Sequence, residues 1–174
     1  MRAPPALSVV GWSDAGKTTL VERLVPELRA LGLRVGVVKH SSDKHPLHRA
    51  GSDTGRFEHA GAELVAFATP AGIQVTVRQQ PAEALLALLG RFADMVDVVL
   101  VEGWKDGPLP KVEVWREGHG ALLAATRSDV LAVVTDAPRL PEGAPEGLRR
   151  FGTQQARELA ELIARLTREQ AHEP

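Results

Sequence analysis

The chain has 174 residues, 44% of them hydrophobic and 25% charged, with a net charge of −1. That length can bury a proper core, and the near-neutral balance gives no whole-molecule field for nucleic acid or an anionic membrane. Cysteine is absent, which excludes disulfides and thiolate zinc, and asparagine is absent, which excludes N-glycosylation. Abundant Pro and Arg beside those absences suggest a heat-adapted source.

The opening "MRAPPALSVV" has no apolar core behind its one charge, so no signal peptide is expected. The apolar run "ALLALLG" at 84–90 is far short of the about 18 residues of a membrane span. The expectation is a cytoplasmic protein forming one domain over 1–174, with no membrane and no nucleic-acid partner.

In chain order, "ALSVV" (6–10) reads as a buried strand. Residues 17–31 read as a helix with Leu20, Leu24, Leu28 and Leu31 on one face, and Pro26 is expected to kink or break it. "LRVGVVKH" (33–40) is the next strand. After a polar loop, residues 53–61 suit a short helix with Asp53 at its start. "ELVAFA" (63–68) and "IQVTVR" (73–78) flank Pro70-Ala71-Gly72 as a hairpin. Pro81 opens a helix with Leu85, Leu88, Leu89 and Phe92 on one face. "VDVVLVEG" (96–103) suits a central parallel strand, and "KVEVW" (111–115) alternates like an edge strand. "VLAVVT" (130–135) is another buried strand, residues 137–149 are a Pro/Gly-rich connection, and 155–166 form a last amphipathic helix capped near Thr153 or Gln154. Strands alternating with helices predict an α/β fold, a mostly parallel sheet with helices on both faces plus an antiparallel hairpin.

"GWSDAGKT" (11–18) matches G-x-x-x-x-G-K-[ST] between a strand and a helix, the context of a P-loop. Glycines let backbone amides curl around phosphate oxygens at a helix N-terminus. Gly11, Ser13, Asp14, Ala15, Gly16, Lys17, Thr18 and Thr19 are the candidate phosphate-binding residues, with Lys17 reaching the β- and γ-phosphates and Thr18 ligating Mg2+. Glu102, at the phosphate-proximal end of its strand, is the partner carboxylate for that metal, and the Gly103 N–H is a candidate γ-phosphate donor. Lys17 and Glu102 are therefore the candidate catalytic pair.

Residues 40–59 carry His40, His45, His48 and His59, and residues 34–59, with five Lys and Arg to three Asp and Glu, form a locally cationic stretch next to the site. It suits a switch-type segment closing on nucleotide, a second anion site, a metal site from His40, His45 and His48, or a solvated loop. Asp53 within it is either a magnesium ligand through water or the cap of the short helix.

Without asparagine the Asn-Lys-x-Asp guanine motif is impossible. Asp136, after "VLAVVT", is either a guanine acceptor or an ordinary turn aspartate. No glutamine stands in the usual place after Gly103, so hydrolysis is expected to be slow. A small-molecule kinase remains the alternative, with Arg139, Arg149 and Arg150 as its lid.

"GWSDAGKTTLVERLVPEL", "VGVVKH", "GSDTGRFEHAGA", "VLVEGWK" and "PKVEVWR" occur in order over residues 9–116. In these the chain resembles the molybdopterin-guanine dinucleotide biosynthesis protein B family. The resemblance implies a dimerising P-loop fold and a GTP-binding adapter of molybdenum cofactor maturation. It further implies a homodimer that assists the molybdenum cofactor guanylyltransferase, with molybdopterin a candidate ligand and GTP and Mg2+ as cofactors. It assigns the magnesium to Asp53 and Glu102 and makes Lys111 and Arg116 signature cations, their ligand open between pterin phosphate, second subunit and sheet edge. One departure is Ala50-Gly51-Ser52-Asp53, where the family tends to a Pro-Gly-Lys-Asp-like motif.

Overall fold

Five short β-branched runs and one arginine-rich triplet make the main sheet. In the computed structural model, which describes residues 3–41, 46–49, 51–77 and 83–172, these are β1 (Ala6–Val10), β2 (Val35–Lys39), β5 (Val98–Glu102), β6 (Lys111–Val114), β7 (Val130–Val134) and β8 (Arg149–Phe151). They pair in the order β2-β5-β1-β6-β7-β8, and every pairing is parallel. The intervening elements are α1 (Lys17–Ala30), α2 (Asp53–His59), the hairpin strands β3 (Leu64–Thr69) and β4 (Gly72–Val77), α3 (Glu83–Gly90) and α4 (Ala156–His172). Two compact units result, residues 1–41 with 88–174, and residues 42–87.

In the larger unit, α1 and α4 cover one face of the sheet. Leu20, Leu24 and Leu28 from α1 and Leu159 and Ile163 from α4 meet Leu7, Val9, Leu100, Val112, Val114 and Ala132. The other face holds a smaller cluster of Trp115, Leu122, Ala124, Val130 and Val133 under coil and a 3-10 turn at Leu123–Ala125. Alternation along the strands puts the buried polar groups Ser8, Lys111 and Glu113 on this second face.

The smaller unit contains α2 and the expected hairpin, antiparallel with Thr69 opposite Gly72. Ser52 caps α2, its Oγ accepting from the Gly55 N–H at 3.2 Å, so the cap is not Asp53.

The structure corrects several expectations. Residues 111–115 do not form an edge strand: β6 lies between β1 and β7, and its alternating Lys111 and Glu113 are fully buried. Their polarity mimics a solvent face because each finds buried partners. Pro26 does not break α1, which runs unbroken to Ala30. Pro26 and Glu22 are both exposed, so water can serve the Glu22 carbonyl that loses its helical donor. Among the described side chains of α3, Leu89 alone is fully buried while Leu88 is exposed, and Phe92 lies past the helix end; Pro81 lies outside the described residues. The end of the Pro/Gly-rich connection forms β8, an edge strand too short for periodicity to reveal.

Candidate phosphate-binding site

The loop Gly11–Thr18 leaves the C-terminal end of β1 and enters α1. Gly11 has φ 145°, and a Cβ there would fall 2.3 Å from the Val114 carbonyl oxygen, so β6 admits only glycine at this crossing. Asp14 (φ 58°) and Gly16 (φ 101°) take left-handed conformations that turn successive amides toward one side. Among the described residues, Leu20 is the first amide of α1 to find a carbonyl four residues back, that of Gly16 at 3.0 Å. The amides of Lys17, Thr18 and Thr19 are thus left at a helix N-terminus, the arrangement that takes an anion.

Around this cradle the charges are ordered. The Lys17 ammonium donates to the Trp12 carbonyl at 2.7 Å. Burial holds the Lys17 pKa below its ordinary value, opposed by Glu102 and reinforced by the nearby Lys105 and Lys39. Thr18 Oγ1 donates to Glu102 Oε1 at 2.9 Å, and Lys39 Nζ stands 3.7 Å from the same oxygen. Hard oxygen donors on a hydroxyl and a carboxylate, side by side at the mouth of an anion cradle, are a donor set that fits magnesium. Two ladder bonds hold Glu102 in place: His40 N–H donates to its carbonyl, and the Gly103 N–H donates to the Val9 carbonyl, each at 2.9 Å. In this structure the second bond commits the Gly103 amide to the sheet rather than leaving it open toward a γ-phosphate.

Similarity to known proteins identifies the family. The family model of molybdopterin guanine dinucleotide synthesis protein B matches residues 6–136. The chain belongs to this family. The molybdopterin-guanine dinucleotide biosynthesis adapter protein of Haemophilus influenzae is 37% identical over 136 residues, covering 77% of this chain and 76% of that one. Its namesake in Escherichia coli is 32% identical, covering 77% and 79%. The crystal structure of a MobB homologue from Bacillus stearothermophilus superposes with a TM-score of 0.68 at 27% identity, covering 94% of this chain and 98% of that one. The fold is thus the P-loop fold of the MobB family, as its motifs led one to expect.

Lys111 and Arg116, the two cations expected to be family signatures, part company. Arg116 reaches the phosphate loop: its Nε donates to the Ala15 carbonyl at 2.9 Å, and its guanidinium covers Gly16. Lys111 does not. Its side chain is fully buried and its ammonium donates to the carbonyls of Gly107 (2.8 Å) and Leu109 (2.7 Å) and to Asp129. With all three hydrogens engaged inside the protein, Lys111 is a strut that ties the loop before β6 to Asp129.

Asp136 is committed as well. Its carboxylate accepts from the Thr153 backbone N–H at 3.0 Å and from the Thr153 hydroxyl, which holds its pKa below the ordinary value. It therefore ties the end of β7 to the turn before α4, and the turn reading is the one its geometry favours. The arginine lid dissolves in part: Arg150 donates back to the Ala137 and Pro138 carbonyls. Among the described residues no group of three or more His, Asp or Glu could hold a metal. His45, one of the three proposed ligands, lies outside them. Asp53 sits at the start of α2 in the smaller unit, 85% exposed and 3.8 Å from Arg56. No described helix is long and apolar enough to cross a membrane.

Sequence reasoning missed an aromatic frame around the loop. Trp12 Nε1 donates to the Ala121 carbonyl at 2.7 Å, pinning the segment after β6 to the phosphate loop. Trp104 stacks on His40 with ring centroids 5.7 Å apart. The residues were visible in "GWS" and "EGWK"; their pairing with Ala121 and His40, distant along the chain, was not.

Proposed function

We propose that the protein is a GTP-binding adapter of molybdopterin guanine dinucleotide biosynthesis. On this reading it assists the molybdenum cofactor guanylyltransferase and hydrolyses GTP slowly at most. The observation that carries the reading is the Thr18–Glu102 hydrogen bond beside the open amides of the phosphate loop. It gives magnesium and a nucleoside triphosphate a formed site on a chain whose relatives are named as adapters. Lys17 and the loop amides would hold phosphate oxygens, Arg116 would neutralise charge at the loop's far side, and Thr18 and Glu102 would hold Mg2+. Bound there, the metal would neutralise phosphate charge.

Homodimer formation belongs to the same reading. The hairpin leaves Leu64, Phe67, Ile73, Val75 and Val77 exposed, and a two-stranded sheet with such an apolar surface gains stability from a covering partner. A cytoplasmic location follows from the proposed partner.

Titration with GTP and with ATP, each with Mg2+, followed by tryptophan fluorescence, tests the reading, since Trp12 and Trp104 both border the site. Preference for GTP is the expected result. Preference for ATP would replace the adapter by a P-loop kinase.

A further inference from the structure

We propose that Lys105 is a γ-phosphate-sensing residue, a mobile cation that distinguishes a bound nucleoside triphosphate from a diphosphate. The inference rests on the nucleotide-binding reading above and extends it to a residue with no assigned role.

Four cations stand near the loop, and three are already engaged. Lys17 is hydrogen-bonded to the Trp12 carbonyl, Arg116 to the Ala15 carbonyl, and Lys39 lies beside Glu102 with 71% of its side chain exposed. Lys105 differs. Its ammonium lies 4.4 Å from the centroid of the Trp12 ring, a cation–π contact with the phosphate loop itself. Among the described residues it meets no carboxylate. It is half-buried, and Lys17 feels its charge more strongly than that of Lys39. Among the described residues, this half-buried cation has an aromatic face beside it at the anion cradle and no acceptor of its own.

The backbone explains how it is held. Trp104 has φ 59°, a left-handed conformation that a bulky residue rarely adopts. The His40 ring stacks on its indole, and Gly107 packs so closely that a Cβ would come within 2.3 Å of the ring. Strain maintained by packing on both sides is a sign of a position fixed for use. The turn carries the chain from Glu102 through Gly103 and brings residue 105 back over Trp12. A flexible four-carbon stem then lets the ammonium leave the indole for a phosphate oxygen, exchanging a weak contact for a charge-assisted hydrogen bond.

The test compares affinities for GTP and GDP, and for ATP and ADP, in the full chain, in Lys105→Met and in Lys105→Arg, all with Mg2+. Lys105→Met should weaken triphosphate binding about tenfold and diphosphate binding less than about twofold, as expected from one lost charge-assisted contact. Lys105→Arg should restore the ratio. In the unsubstituted chain, triphosphate should also shift Trp12 fluorescence away from its ammonium-bound state, a change absent in Lys105→Met. An unchanged triphosphate-to-diphosphate ratio in a folded Lys105→Met protein overturns the proposal while leaving GTP binding intact. Preference for ATP with a Lys105-dependent ratio overturns the guanine reading and keeps the proposal. A chain that binds neither triphosphate overturns both.

Discussion

The two faces of the main sheet are held by different forces. Beneath α1 and α4 the contacts are almost wholly aliphatic, with Leu24, Leu28 and Leu159 fully buried. On the opposite face the sheet buries Lys111 and Glu113, and coil rather than helix lies above them. Lys111 grips the loop before β6, while Glu113 accepts from the Leu123 and Ala124 amides at 2.7 and 2.9 Å and so folds down the segment after it. Hydrophobic burial is non-directional and suits a face that needs only to be covered. Hydrogen bonds are directional, and the face they hold is the one whose loops carry Trp12's partner Ala121 and the Trp104 turn. Stability is concentrated on one side of the sheet, and the shaping of the site on the other.

Truncation on the aliphatic face should have the largest effect on stability. Leu159→Ala should cost about 2–5 kcal/mol in denaturant unfolding and leave nucleotide affinity of the remaining folded protein unchanged. Next, Asp129→Ala should cost on the order of 3 kcal/mol, because it strands the buried Lys111 ammonium with carbonyl partners alone. That Asp129 serves as a carboxylate is consistent with a pKa held below its ordinary value by Arg127 first and then by Lys111.

Glu113→Gln should cost about 1–2 kcal/mol, since an amide offers one acceptor oxygen where two amides need partners. Here pH sharpens the contrast. Burial pushes the Glu113 pKa above its ordinary 4.5, against the pull of its two backbone donors. The folded state therefore binds this proton more tightly than the unfolded state, and the stability difference between the parent and Glu113→Gln should shrink as pH rises from below 4.5 through the folded value. Asp136 has the opposite sign. Its pKa is lowered from 3.8, so its contribution is present above that value and is lost as pH falls through the lowered one. Being exposed, Asp136→Asn should cost less than about 1 kcal/mol, and unfolding curves of the two variants between pH 3 and 7 should tilt in opposite directions.

The same contrast explains what could be read in advance. Strands β1, β5 and β7 announce themselves because both their faces are apolar, and α1 and α4 because one stripe is. "GWSDAGKT" is legible because phosphate binding by backbone demands glycine at fixed spacing. Strand β6 misled because Lys111 and Glu113 alternate with valines as solvent-facing residues would; the partners that permit their burial, Asp129 and the Leu123–Ala124 amides, lie further along the chain in a loop and a short 3-10 turn without a signature. The Gly103 amide and the Asp136 carboxylate have partners that were illegible for a related reason. Their types fit a ligand role, but a neighbouring strand or turn had claimed their hydrogen bonds, and no local pattern records that claim.

The strand order also fixes when the phosphate loop can exist. Ala6 in β1 pairs with Val99 in β5, and Ser8 with Lys111 in β6. During synthesis, the N-terminal strand emerges from the ribosome long before either neighbour has been made. It stays an unpaired apolar edge while α1, β2 and the whole hairpin unit follow. Closing so long a loop before the pairing can reward it makes this the slow event of folding. The phosphate loop, which opens at the end of β1, should therefore be among the last parts of the molecule to form, and any ligand held there can stabilise the chain only after that closure.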